Sequence, residues 1–102
     1  MKLQEMITQS MEKCTEKEKA QMADFLKDLF TRHPCHCVHL KDDSCFHTDY
    51  YAGEYRINVP EVKLESAKQW LMDEGFTLRK RYSPGGAFFG YDIFLCDEYA
   101  HR

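Results

Sequence analysis

The stretch from Phe76 to Leu95 constrains the fold of this chain more than any other. Two runs rich in β-branched and aromatic residues, Phe76-Thr77-Leu78-Arg79-Lys80-Arg81-Tyr82 and Ala87 to Leu95, flank Ser83-Pro84-Gly85-Gly86. Proline presets one turn dihedral and glycine accepts the left-handed ones, so this pattern predicts a β-hairpin. Strand alternation puts Phe76, Leu78, Lys80 and Tyr82 on one face and Thr77, Arg79 and Arg81 on the other. With a four-residue loop, Phe76 pairs with Ile93, Leu78 with Tyr91 and Lys80 with Phe89. That side carries the large apolar groups and has to be covered by another layer. On the opposite side Thr77 meets Asp92, Arg79 meets Gly90 and Arg81 meets Phe88, with Phe94 beside them. The expected outward face therefore joins two arginines to two phenylalanines.

The covering layer is legible upstream. Residues 2–32 contain no proline or glycine. Leu3, Met6, Ile7, Met11 and Cys14, and then Met22, Phe25, Leu26, Leu29 and Phe30, recur at spacings of three and four. Between them Thr15-Glu16-Lys17-Glu18 fits a capping box, so two helices are expected, over 2–13 and 16–32. Pro34 ends the second, because the residue before proline avoids helical geometry. Further on, Pro60 opens a helix whose apolar face is Val62, Leu64, Ala67, Trp70 and Leu71, and Gly75 caps its end.

Between these helices the pattern becomes strand-like. Tyr55, Ile57 and Val59 alternate with polar residues. His36 to Leu40 and Cys45 to Tyr51 flank the turn-like Lys41-Asp42-Asp43-Ser44, and Ala52-Gly53 offers another turn. The expected architecture is a single α+β domain over residues 1–102, in the order α-α-β-β-(β)-α-β-β. Its antiparallel sheet has four to five strands, with helices packed on one face. An α–β–β–β–α run invites comparison with a double-stranded-RNA-binding domain. The second helix would then begin Pro60-Glu61-Val62-Lys63-Leu64-Glu65, which is not basic, and the function is not carried over.

Charge and cysteine usage bound the function classes. A formal net charge of −3 argues against a general nucleic-acid coat, although residues 63–82 form a basic island with five basic and three acidic side chains. No apolar run reaches the roughly 20 residues a bilayer span needs, and the start Met1-Lys2-Leu3-Gln4-Glu5 has no apolar signal segment. Five cysteines, an odd number, at 14, 35, 37, 45 and 96 fit reduced thiols in the cytoplasm.

Candidate chemistry was sought in each cluster. Cys35, Cys37, Cys45 and His47 supply four zinc-ligand types, but not at the usual C-x2-C spacing, and simple hairpin registers put Cys37 and Cys45 on opposite sheet faces. A cysteine nucleophile beside a histidine lacks any marked oxyanion hole or orienting group. The carboxylate pairs Asp42-Asp43, Asp73-Glu74 and Asp97-Glu98 sit where solvated acids usually sit. The loop Ser83–Gly86 has no phosphate-binding spacing. No catalytic residue, metal ligand or cofactor is assigned. The expectation is a small non-enzymatic protein-binding module, adaptor or inhibitor in type. Phages and mobile elements encode such proteins, which act by occluding a surface of a larger host complex. Its partner-binding residues would be Arg79, Arg81, Phe88 and Phe94. Two alternatives stand beside it: a zinc-stabilised module on Cys35, Cys37, Cys45 and His47, and a weak single-stranded nucleic-acid binder using Arg79, Lys80 and Arg81.

Overall fold

The computed structural model describes Leu3 and residues 11–100. Leu3, Met11 and Glu12 are helical and Lys13 is a bend, while residues 2 and 4–10 of the expected helix over 2–13 lie outside the described residues, Met6 and Ile7 included. Helix α1 is Glu16–Arg32. It starts with the expected capping box: the Glu18 N–H donates to Thr15 Oγ1 at 3.1 Å, and the Thr15 N–H donates to Glu18 Oε1 at 2.8 Å. Two helix-end donors are thereby satisfied reciprocally. The chain continues through β1 (Val38–Asp43), β2 (His47–Tyr51) and β3 (Glu54–Pro60). A single 3-10 turn, Glu61–Lys63, then leads into α2 (Leu64–Asp73). Strands β4 (Thr77–Tyr82) and β5 (Phe88–Phe94) and a short helix α3 (Asp97–Ala100) complete it. Helix α2 ends as its glycine requires. The Gly75 N–H donates to the Met72 carbonyl and the Phe76 N–H to the Leu71 carbonyl, at 3.0 and 3.1 Å, with Gly75 in the left-handed region. Helix α3 was not anticipated. Asp97 and Glu98 open it, where the positive helix end favours carboxylates.

The sheet has the strand order β2-β3-β1-β5-β4. It is mixed, which corrects the expectation of a purely antiparallel sheet: β1 and β3 run parallel, and the other three pairings are antiparallel. The hairpin expected across Lys41–Ser44 is absent, because β3 lies between β1 and β2. Burial explains the order. Val38, His39 and Leu40 are all buried, as are Ile57, Asn58 and Val59, so β1 and β3 each need neighbours on both sides. His47-Thr48-Asp49-Tyr50-Tyr51 has no fully buried residue and suits an edge. A parallel pair ordinarily needs a crossover outside the sheet; here the returning segment contains β2, in the same sheet.

Helices α1 and α2 cover one face, as expected. Val38, Leu40, Ile57, Val59, Tyr91 and Ile93 from the three central strands meet Met22, Leu26, Leu29 and Phe30 of α1 and Ala67 and Leu71 of α2. Cys14 is buried against this core as a small apolar residue, and its N–H donates to Ser66 Oγ at 3.1 Å. Glu18 also accepts from Lys63 Nζ at 2.8 and 3.0 Å, tying α1 to the start of α2. Burial pushes the Glu18 carboxyl up, but the Lys63 ammonium and the Thr15 N–H outweigh it and hold it below the ordinary glutamate value. Among the described residues the opposite sheet face is open apart from α3. The Thr77 hydroxyl donates to Asp97 at 2.5 Å and the Arg79 guanidinium to the Ala100 carbonyl, so α3 lies on this second face.

Candidate functional site

The β4–β5 hairpin forms where it was expected, with a different register. Thr77 pairs with Phe94, Leu78 with Ile93, Arg79 with Asp92 and Lys80 with Tyr91, a slip of two residues from the expected pairing. The slip arises in two places. At the turn, the Ser83 N–H donates to the Ala87 carbonyl at 2.8 Å, which moves the register by one. Between Lys80 and Tyr82 a β-bulge sets Phe89 and Gly90 opposite Arg81 and moves it by one more. Gly90 is the residue that permits the bulge. It has a φ of +80°, and a Cβ there would lie 2.1 Å from the Leu40 carbonyl oxygen of β1.

Each one-residue step turns side chains to the other face. Below the bulge the two steps cancel, and Thr77, Arg79, Asp92 and Phe94 share the open face as expected. Between bulge and turn only one step applies, so Phe88 and Phe89 exchange places. Phe88 does not face Arg81: it pairs with Tyr82, and its ring lies 5.3 Å from that of Tyr91 on the helix side. Phe89 takes the open side, its ring 4.8 Å from His39. The structure thus leaves Arg79, Arg81 and Phe94 on one face and moves Phe88 off it.

The arginines are engaged within the fold. Arg79 holds the end of α3 through the Ala100 carbonyl. Arg81 reaches across β5 and β1 to Glu54 of β3 at 2.5 Å and contacts Asp92 at 3.4 Å. Of the basic triplet, Arg79 and Lys80 are exposed, but Arg79 is bound to a backbone carbonyl and Arg81 is ion-paired, which leaves a thin basis for binding nucleic acid. Beneath Arg81 sits His39, only 4% exposed, its Nε2–H donating to the Phe89 carbonyl at 2.6 Å. Burial pushes the imidazole below its ordinary value. Asp92, paired with His39 across β1 and β5, is raised by burial, with Arg81 opposing the rise. Cys37 lies next to them, and burial together with the Asp92 carboxylate pushes its thiol up. An activated thiol needs the reverse shift. A cavity of about 290 Å³ opens here, lined by His36, Cys37, His39, Gly53, Glu54 and Tyr55.

The four zinc-ligand candidates are not brought together. Cys45 Sγ lies 3.8 Å from His47 Nδ1, but His47 is level with Asn58 and so with Lys41, roughly 13 Å along the strand direction from Cys37. Among the described residues no group of three His, Cys, Asp or Glu side chains is arranged to hold a metal ion. Among them, too, no helix is long and apolar enough to cross a membrane.

Tyr50 and Tyr51 of β2 are exposed, and a second group of exposed aromatic residues lies at the far end of the hairpin. Tyr82, Phe88 and Phe89 are 57%, 49% and 41% exposed, around the turn and beside Arg81. Sequence reasoning missed Tyr82 and Phe89 as surface groups and missed the His39, Asp92 and Glu54 cluster. The available signal was Gly90, since glycine inside a strand pattern marks a bulge. Compared with known proteins, the chain matches no family model, no curated protein and no solved structure.

Proposed function

We propose that this chain is a non-enzymatic protein-binding module of the adaptor or inhibitor type, which occludes a surface of a larger complex with the end of its β4–β5 hairpin. The observation that carries this reading is the adjacency of Tyr82, Phe88 and Phe89 around one turn, all substantially exposed. Singly exposed apolar residues are ordinary, but contiguous ones mark interaction surfaces. Tyrosine, phenylalanine and arginine are also the types enriched at interface centres. The bulge fixes two of the rings on opposite faces, so the hairpin end presents an aromatic wedge rather than a flat patch.

The test compares the parent with Tyr82→Ser/Phe88→Ser in affinity capture from lysate with mass spectrometry. A partner is expected with the parent and absent with the variant, while the thermal midpoint falls by only a few degrees. An identical captured set from both proteins refutes the reading. A collapse of the variant's melting transition would instead make the two rings structural.

A further inference from the structure

The open face holds a feature that aromatic binding does not use: a buried histidine under an arginine clasp. His39 is the second residue of β1, level with Asp92 on one side and Arg56 on the other. Its Nε2–H is committed to the Phe89 carbonyl, so the proton it can gain goes to Nδ1. The charged and titratable groups around it are Cys37 just before β1, Glu54 and Arg56 on β3, Asp92 on β5, and Arg79 and Arg81 on β4. Glu54 and Asp92 favour an imidazolium and Arg81 opposes it. Asp92 serves one cation now, through the 3.4 Å contact with Arg81. A second cation beside it competes for the same carboxylate and repels the first.

We infer that His39 is a proton-operated switch for Arg81: protonation draws Asp92 to the imidazolium and away from the Arg81 guanidinium, which is then held by Glu54 alone. This rests on the binding role proposed for that end, whose charge it would regulate. In acid the surface beside Tyr82 and Phe89 gains a guanidinium that has lost one of its two carboxylates and can meet a partner's carboxylate in its place. At neutral pH that guanidinium is neutralised by Glu54 and Asp92. A buried histidine with one committed nitrogen and a carboxylate–guanidinium pair alongside is a suitable element for such a change.

The experiment needs no partner. Heteronuclear NMR on the full chain, uniformly labelled with 13C and 15N, follows the His39 ring and the Arg81 Nε–Hε signal between pH 8 and 4.5. The two are expected to move with one midpoint, below the ordinary histidine value. In His39→Gln the Arg81 step should vanish. In Asp92→Asn, which keeps the imidazole, His39 should still titrate while Arg81 stays unmoved. An Arg81 signal that does not shift as His39 titrates, or a step that persists in either variant, overturns the switch. Because binding is not the readout, such a failure leaves the aromatic interface standing, and loss of the interface would leave the titration intact.

Discussion

Replacing Gly90 by alanine tests the geometry on which the hairpin's assignment to two faces depends. Two costs add at this position. At a φ of +80° an alanine is strained, by about 1–2 kcal/mol. Its Cβ would also sit 2.1 Å from the Leu40 carbonyl oxygen and 3.2 Å from both the Leu40 carbonyl carbon and the Lys41 Cα. Such contacts essentially never fall below 3.0 Å, so the β1 backbone must retreat by about 0.9 Å, in a central strand whose Leu40 is fully buried. A displaced ladder carbonyl left unsatisfied costs about 1–3 kcal/mol more. The expected loss is about 2–5 kcal/mol, a large part of the 5–15 kcal/mol typical of a domain. Gly86→Ala is the control: its φ is +87°, but a Cβ there meets nothing within 4 Å, so about 1–2 kcal/mol is expected from strain alone. Urea denaturation followed by Trp70 fluorescence and far-UV circular dichroism measures both. If Gly90→Ala loses no more stability than Gly86→Ala, the close approach of β5 to β1 is wrong, and the exchange of Phe88 and Phe89 loses its support.

Other outcomes follow from separate parts of the fold. Ala52 and Gly53 both have positive φ in the tight turn joining β2 and β3, so Ala52→Asn should raise stability by about 0.5–1 kcal/mol in the same urea assay. Glu18→Ala removes one half of the capping box and the partner of Lys63, and should cost about 1–2 kcal/mol by thermal melt. Asp92 is raised above the 3.8 of an unperturbed aspartate, first by burial. As pH rises through 3.8 the unfolded chain loses this proton before the folded one, so the group's contribution to stability falls until the folded value is passed. Asp92→Asn should therefore be at least as stable as the parent at pH 7 and lose this advantage near pH 3.5; a marked loss at pH 7 would show that the Arg81 contact outweighs burial. Treatment with a chelator should leave the melting midpoint unchanged, since Cys37 lies far from Cys45 and His47.

Local chemistry was read directly from the residues. Thr15 and Glu18 set the start of α1, Gly75 ends α2, and the apolar spacing in 16–32 and 64–71 gives the covering layer. Each depends on contacts within a few positions along the chain. The strand order does not. That β3 enters between β1 and β2 follows from three separate segments competing for central places, and only the burial of Val38–Leu40 and Ile57–Val59 together decides it. The site was half legible for a related reason. Alternation carries Arg79 and Phe94 correctly to the open face, but one bulge inverts the rule for Phe88 and Phe89. The Glu54–Arg81 ion pair joins residues 27 positions apart in sequence, and a pairwise reading of the hairpin contains nothing that points to it.

The placement of β1 also has a consequence for how the chain emerges during synthesis. The β2–β3 hairpin, with its two-residue turn, is complete soon after β1 and can close one side of it. The other side is closed only by β5, made some 45 residues later. Until then the strand that organises both sheet faces presents an unpaired edge at Val38–Leu40, next to a helix already able to cover one of its faces. An unpaired apolar edge of this kind recruits other strands. Fragments ending before residue 88 should therefore self-associate even with α1, α2 and the β2–β3 hairpin intact, and the C-terminal hairpin serves as the closing piece of the fold as well as its proposed contact surface.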